Sequence, residues 1–189
     1  MPKKVDHLQR RTLIADALMR VAAERGLEAV SLRHVAAEAG VSAGMVQHYF
    51  ATKDEMMAFA MAVVRDRGEV RVTAAVTRLG AEPPPRLLIR TFIAALLPLD
   101  EQSGDTAKVA LAFLAYAAVR PAAAAALRDD TTQLRSFVAS LLPGPGADEA
   151  AGGLLALMEG LGLYLVSGQY TAEQALVVLD AHLDRLFPG

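Results

Sequence analysis

Two serines with a glycine between them constrain this chain more than any other feature. Ser31 stands as an N-cap before Leu32, Val35, Ala36 and Ala39, which recur at the spacing of one helix face. Gly40 supplies the left-handed stop, and Ser42 opens a second, very short helix that runs to about Phe50. A helix, a Gly40-Val41-Ser42 turn and another helix cross roughly at right angles. Val35, Ala36, Ala39, Val41, Val46 and Phe50 can then form a miniature core with the helix before them. The outer face of the short helix is left with Ala43, Gly44, Gln47 and His48.

The rest of the chain is punctuated for helices and carries almost no strand signal. Asp6-x-x-Gln9 reads as a loose capping box for a first helix whose face is Leu13, Ala17, Leu18 and Val21, ended by Arg25-Gly26. Thr52-x-x-Glu55 is a stronger box, opening a helix from Lys53 to about Leu79, before Gly80 and Pro83-Pro84-Pro85. Further helices are predicted at 84–97, 105–119 and 121–142, then, beyond Pro143-Gly144-Pro145-Gly146, at about 148–168 and 172–187. The expectation is an all-α fold of about nine helices: a three-helix N-terminal unit, 1–52, and a C-terminal helical unit, 53–189.

Composition removes several function classes. With 53% hydrophobic and 21% charged residues the chain is not of the disordered type. It has no cysteine, which excludes disulfides, thiolate nucleophiles and cysteine-held metals. The four histidines, at 7, 34, 48 and 182, include no pair at metal-clamp spacing, so no metal or cofactor is expected. His7, His34 and His182 read as surface residues. The apolar runs 109–119, ended by Arg120-Pro121, and 150–168, interrupted by Glu159, read as buried helices rather than membrane spans, so a cytoplasmic protein is expected. The net charge of −2 hides an asymmetry. Residues 1–53 hold eight Lys and Arg against five Asp and Glu, whereas 54–189 hold eleven against sixteen.

A weakly basic helix-turn-helix unit points to double-stranded DNA, with the short helix in the major groove and the preceding helix bracing it. Small residues at 43 and 44 let the backbone approach the bases. Gln47 can pair bidentately with adenine, and Arg33 with guanine. His48, Tyr49, Lys53 and the backbone N–H groups behind Ser31 and Ser42 suit phosphate. Lys3, Lys4, Arg10 and Arg11 could add a basic arm.

These residues resemble the TetR family of bacterial transcriptional regulators. The likeness runs from about Arg11 to Met57, through Val35-Ala36-x-x-Ala39-Gly40-Val41-Ser42 and Tyr49-Phe50-x-x-Lys53-Asp54-Glu55-Met56. It implies a homodimeric repressor with a three-helix DNA-binding domain, a C-terminal ligand and dimer domain, and a near-palindromic operator released by a small-molecule effector. It also implies DNA contacts by Arg33, Ala43, Gly44, Gln47, His48, Tyr49 and Lys53. Gln47 departs from the tyrosine that many members place there, so no base preference is carried over. The Gln-His-Tyr-Phe ending is similar to that of a choline-responsive branch of the family.

In the C-terminal half, Leu176, Leu179, Leu183 and Leu186 follow one helical stripe. The 148–168 helix is apolar nearly all round and carries Gly153, Leu157 and Leu161; these seven residues are the expected dimer seam. Phe92, Phe113, Tyr116, Phe137 and Tyr164 could line an apolar ligand pocket. Glu159, charged within an apolar run, should pair, face water or meet a cationic ligand. Two other readings remain open on sequence grounds: a protein-interaction adaptor that keeps the helix-turn-helix without DNA, and an all-α enzyme, for which no nucleophile–base pair is visible.

Overall fold

A computed structural model describes residues 2–188 of the chain, and the side chains of these except residues 2–5, 102, 122 and 126. The side chains of Lys3 and Lys4 therefore lie outside the described residues. Among the described residues the chain forms nine α-helices: α1 (Pro2–Arg25), α2 (Leu32–Ala39), α3 (Ala43–Tyr49), α4 (Lys53–Thr77), α5 (Pro85–Leu96), α6 (Glu101–Ala118), α7 (Pro121–Leu141), α8 (Ala147–Val166) and α9 (Ala172–Leu186). A single 3-10 turn, Leu27–Ala29, joins α1 to α2.

The helix boundaries follow the caps. The Ser31 hydroxyl accepts from the His34 N–H, Ser42 from Met45, Thr52 from Glu55 and Thr171 from Gln174. Gly40 takes the left-handed conformation, φ 67°, that ends α2 and costs a glycine nothing. Two starts differ from the sequence reading. α1 begins at Pro2, so Asp6 is an interior residue, 3.7 Å from Arg10 one turn on, and not a cap. α6 begins at Glu101 rather than 105, because Asp100 accepts from the Ser103 N–H and Ser103 returns the bond in a full capping box. Ser103 and Gly104, outside the predicted span, therefore lie in the first turn of α6.

The apolar residues gather in two cores. The first joins α1, α2, α3 and the start of α4, with Leu18, Val35, Val46, Phe50, Met56, Met57 and Ala60 buried. Val109 and Phe113 of α6 complete it. The second joins α5, α7, α8 and α9 around Ile89, Ile93, Val138, Leu154 and Leu179. α4 thus joins the first core at its N-terminal end, beyond the cap at Thr52 that starts it. A cap marks where a helix starts, not what it packs on. α8 is long and apolar enough to cross a membrane. Ala151, Leu154, Leu155 and Leu161 on it are buried in the second core.

Candidate DNA-reading face and effector cavity

α3 is held by its inner side alone. Val46 and Phe50 are fully buried, while Ala43, Gly44, Met45, Gln47 and His48 are exposed. None of these five side chains bonds to another element among the described residues. Ser31, at the start of α2, is half-buried; Arg33 beside it and Ser42, at the start of α3, are exposed. Lys53 is half-buried at the start of α4. Neither Arg33 nor Lys53 has an ion-pair partner among the described residues. Tyr49 is half-buried, with the centre of its ring 5.2 Å from that of His48 and 4.8 Å from that of His7. His7 is exposed, as expected of a surface residue, and its ring also packs on Tyr49 of α3.

Arg11 also departs from the expectation of a basic arm. Its guanidinium lies 4.5 Å from the centre of the Phe50 ring and 4.6 Å from that of Phe59, and its Nη2 donates to Glu55 Oε1 at 3.0 Å. Glu55 Oε2 accepts the Ala51 N–H at 2.9 Å, instead of the Thr52 N–H of a regular capping box. Arg11 is thus a staple from α1 to the α3–α4 junction, worth more through its stacking and charge-assisted bond than as a charge in solution. Sequence reasoning missed it because the partners lie far apart in the chain.

Between α4, α5, α6, α7 and α8 lies a cavity of about 1380 Å³. Phe92, Phe113, Tyr116, Phe137 and Glu159 are among the residues that line it. Tyr164 is not. It packs against Tyr170, ring centres 5.2 Å apart, and is 40% exposed on another side of α8, since it sits too far round the helix from Glu159 to face the same space. The cations on the cavity wall are engaged by the protein. Arg65 donates to Asp130 at 2.8 Å, Arg71 to the Ala95 carbonyl at 3.3 Å, and Arg120 stacks 3.7 Å over the Tyr116 ring. Glu159 has no partner among the described residues. Its accessible area opens onto this largely apolar space, and desolvation there holds its carboxyl above the ordinary carboxylate value.

The expected dimer seam needs correction. Leu161, Leu179 and Leu183 are buried in the protomer's own second core, 2%, 0% and 0% exposed, so they are not available to a partner. Leu157, Leu176 and Leu186 are half-buried against the same core, and Gly153 is exposed. A leucine stripe identifies the apolar side of a helix but not whose core it enters. Exposed or half-buried on α8 are Gly153, Ala156, Gly160 and Leu163, at the spacing of one helix face, and Val177 is exposed on α9. A Cβ added at Gly153 or Gly160 would meet nothing within 4 Å, so the protomer's own packing does not require glycine at either position.

The chain matches two known family descriptions. Residues 14–59 match "Bacterial regulatory proteins, tetR family" and residues 85–188 match "BetI-type transcriptional repressor, C-terminal". It is 33% identical over 193 residues to the HTH-type transcriptional regulator BetI of Burkholderia thailandensis, covering 98% of this chain and 97% of that one. It is 36% identical over 117 residues to the HTH-type transcriptional regulator PksA of Bacillus subtilis, where the match spans 62% of this chain and 56% of the relative. A crystal structure of a transcriptional regulator from Rhodococcus sp. Rha1 superposes with a TM-score of 0.85 at 35% identity, covering 93% and 95% of the two chains.

Proposed function

Because the chain belongs to the TetR family, as a DNA-binding transcriptional regulator whose C-terminal half is of the BetI repressor type, we propose that it works as a homodimer whose two α3 helices enter successive major grooves of a near-palindromic operator. The adaptor and enzyme readings fall away with that membership. The observation that carries the proposal is the unoccupied outer face of α3, with Ala43, Gly44, Gln47 and His48 all exposed. Gln47 reads a base edge; Arg33 reads a second; His48, Tyr49, Lys53 and the amides behind Ser31 and Ser42 hold phosphates. The open face of α8 and α9 supplies the dimer contact, its glycines admitting a partner helix closely. DNA as the target places the work in the cytoplasm.

The effector enters the cavity, and its chemistry is that of a small organic cation. An aromatic and aliphatic wall, three arginines already engaged by the protein and two carboxylates without a partner among the described residues, Glu69 and Glu159, complement a positively charged, partly apolar molecule. Binding shifts the dimer between two conformations only insofar as the effector prefers one of them. Calorimetric titration with hexyltrimethylammonium and with its uncharged tert-butyl analogue tests this. The cation is expected to bind at least tenfold more tightly and to release the protein from DNA. Equal affinity for both probes would overturn the cation reading.

Glu159→Gln is expected to abolish that preference while leaving operator binding unchanged. It should also raise thermal stability. The folded chain favours the protonated carboxyl, so its stability falls as pH rises through the carboxylate range, and the ionised form is a burden at neutral pH. Removing that charge should raise the unfolding midpoint at pH 7, by an amount that the side chain's exposure keeps small. An unchanged or lower midpoint would show that the carboxylate has a stabilising partner.

A further inference from the structure

We propose that Tyr116 is a positioning residue for the reading head: through the bond its hydroxyl donates to Asp54, it fixes the first turn of α4 and, with it, Lys53 and the end of α3. The inference rests on the regulator reading above and adds the route by which the cavity reaches the DNA-binding end. Tyr116 is on α6, where it packs against the first core, and Asp54 is the second residue of α4, so the bond ties a helix of the C-terminal part of the chain to the turn that follows α3. Both residues also line the cavity, so an occupant meets the bond directly.

The surroundings orient this bond, although the Asp54 carboxylate is exposed. The ring is clamped by the Arg120 guanidinium, 3.7 Å above it, which leaves the hydroxyl little choice of direction. Burial first, and then the Asp54 carboxylate, hold the phenol above its ordinary value, so it remains a donor at neutral pH. On the adjoining residue, Glu55 ties the same turn to Arg11 at 3.0 Å and to the Ala51 N–H at 2.9 Å. The first turn of α4 is therefore anchored on one side to α1 and on the other to α6. Of these anchors, the Tyr116 bond is the one whose donor belongs to the C-terminal part of the chain. A ligand that turns the Tyr116 ring, or draws its hydroxyl away, frees the turn that carries Lys53.

The test compares Tyr116→Phe and Asp54→Asn with the unaltered full-length chain. It uses hydrogen exchange of the amides at 51–57 and affinity for a DNA fragment from upstream of the protein's own gene. Phe keeps the ring and its contact with Arg120 and loses only the hydroxyl, so the fold survives. Loss of a charge-assisted bond should raise exchange at 51–57 about fivefold or more and weaken DNA binding roughly 5- to 20-fold, with little change in thermal midpoint. Asn at 54 keeps an acceptor oxygen and should remain within about threefold of the unaltered chain. Unchanged exchange in Tyr116→Phe would overturn the proposal, as would a lowered midpoint with intact DNA affinity in the folded fraction. The exchange measurement needs neither DNA nor effector. Failure of the unaltered chain to bind DNA would instead count against the regulator reading, leaving the positioning role to be decided by exchange alone.

Discussion

An aspartate at Leu179 is expected to leave no folded protein, whereas the same substitution at Val177 is expected to leave a folded protomer that no longer dimerises. The two residues are neighbours on α9 with opposite surroundings: Leu179 is 0% exposed and Val177 63%. At 179 the change removes a buried leucine, worth about 2–5 kcal/mol. It also buries an unpaired carboxylate, at a further cost of several kcal/mol. Together these approach or exceed the whole stability of about 5–15 kcal/mol expected for a domain. At 177 the protomer loses almost nothing, since an exposed substitution changes stability by about 0.5 kcal/mol or less. A twofold dimer, however, receives the charge twice on one apolar face. Circular dichroism and light scattering separate the cases. A folded, dimeric Leu179→Asp chain would return that leucine to the partner interface, and a Val177→Asp chain that stays dimeric at micromolar concentration would remove the α8–α9 face from it.

The second large effect concerns DNA. Lys53→Ala should weaken binding to every sequence alike and reduce the slope of log affinity against log salt by about 1 per subunit, because a phosphate contact releases counterions without reading bases. Gln47→Ala should do the opposite. Loss of a bidentate base contact costs about 1–3 kcal/mol of discrimination, so preference at one position in each half-site falls roughly 5- to 150-fold, with nonspecific affinity and the salt slope kept. The structure supports the division of roles by placement. Gln47 is on the outer face of α3, while Lys53 lies beyond its end at the positive terminus of α4, where its charge opposes the helix dipole. Filter binding against a randomised half-site library at two salt concentrations reads both quantities. Equal loss of discrimination in the two variants would merge the roles.

What the sequence revealed was what is local. Ser31, Gly40, Ser42 and Thr52 act on backbone groups three or four residues away, so the reading head could be laid out from spacing alone. At Asp100 the local signal was there but unread: Asp100-x-x-Ser103 is a capping box, so the helix predicted over 105–119 starts at Glu101. Contacts between distant elements left no such trace. Nothing in the pattern joins Tyr116 to Asp54, or Arg11 to Phe50, Glu55 and Phe59. Leu179 and Leu183 were correctly read as apolar and helical, but a stripe of leucines looks the same to a protomer's own core as to a partner's. Tyr164 was grouped with the cavity aromatics by residue type, and its position round α8 decided otherwise. Glu159 was legible for a different reason: a charge inside an apolar helix requires an explanation wherever the helix packs.

The central claim is that α3 reads base pairs as one half of a dimer. Recovering genomic fragments bound by the protein and footprinting them tests it most directly. The account predicts two protected half-sites of inverted sequence, centred about one DNA turn or a multiple of it apart on one face of the duplex, with the protection lost in Val177→Asp and its sequence preference relaxed in Gln47→Ala. A single protected site, or fragments bound equally well by the Gln47→Ala chain with no change in preference, would contradict it.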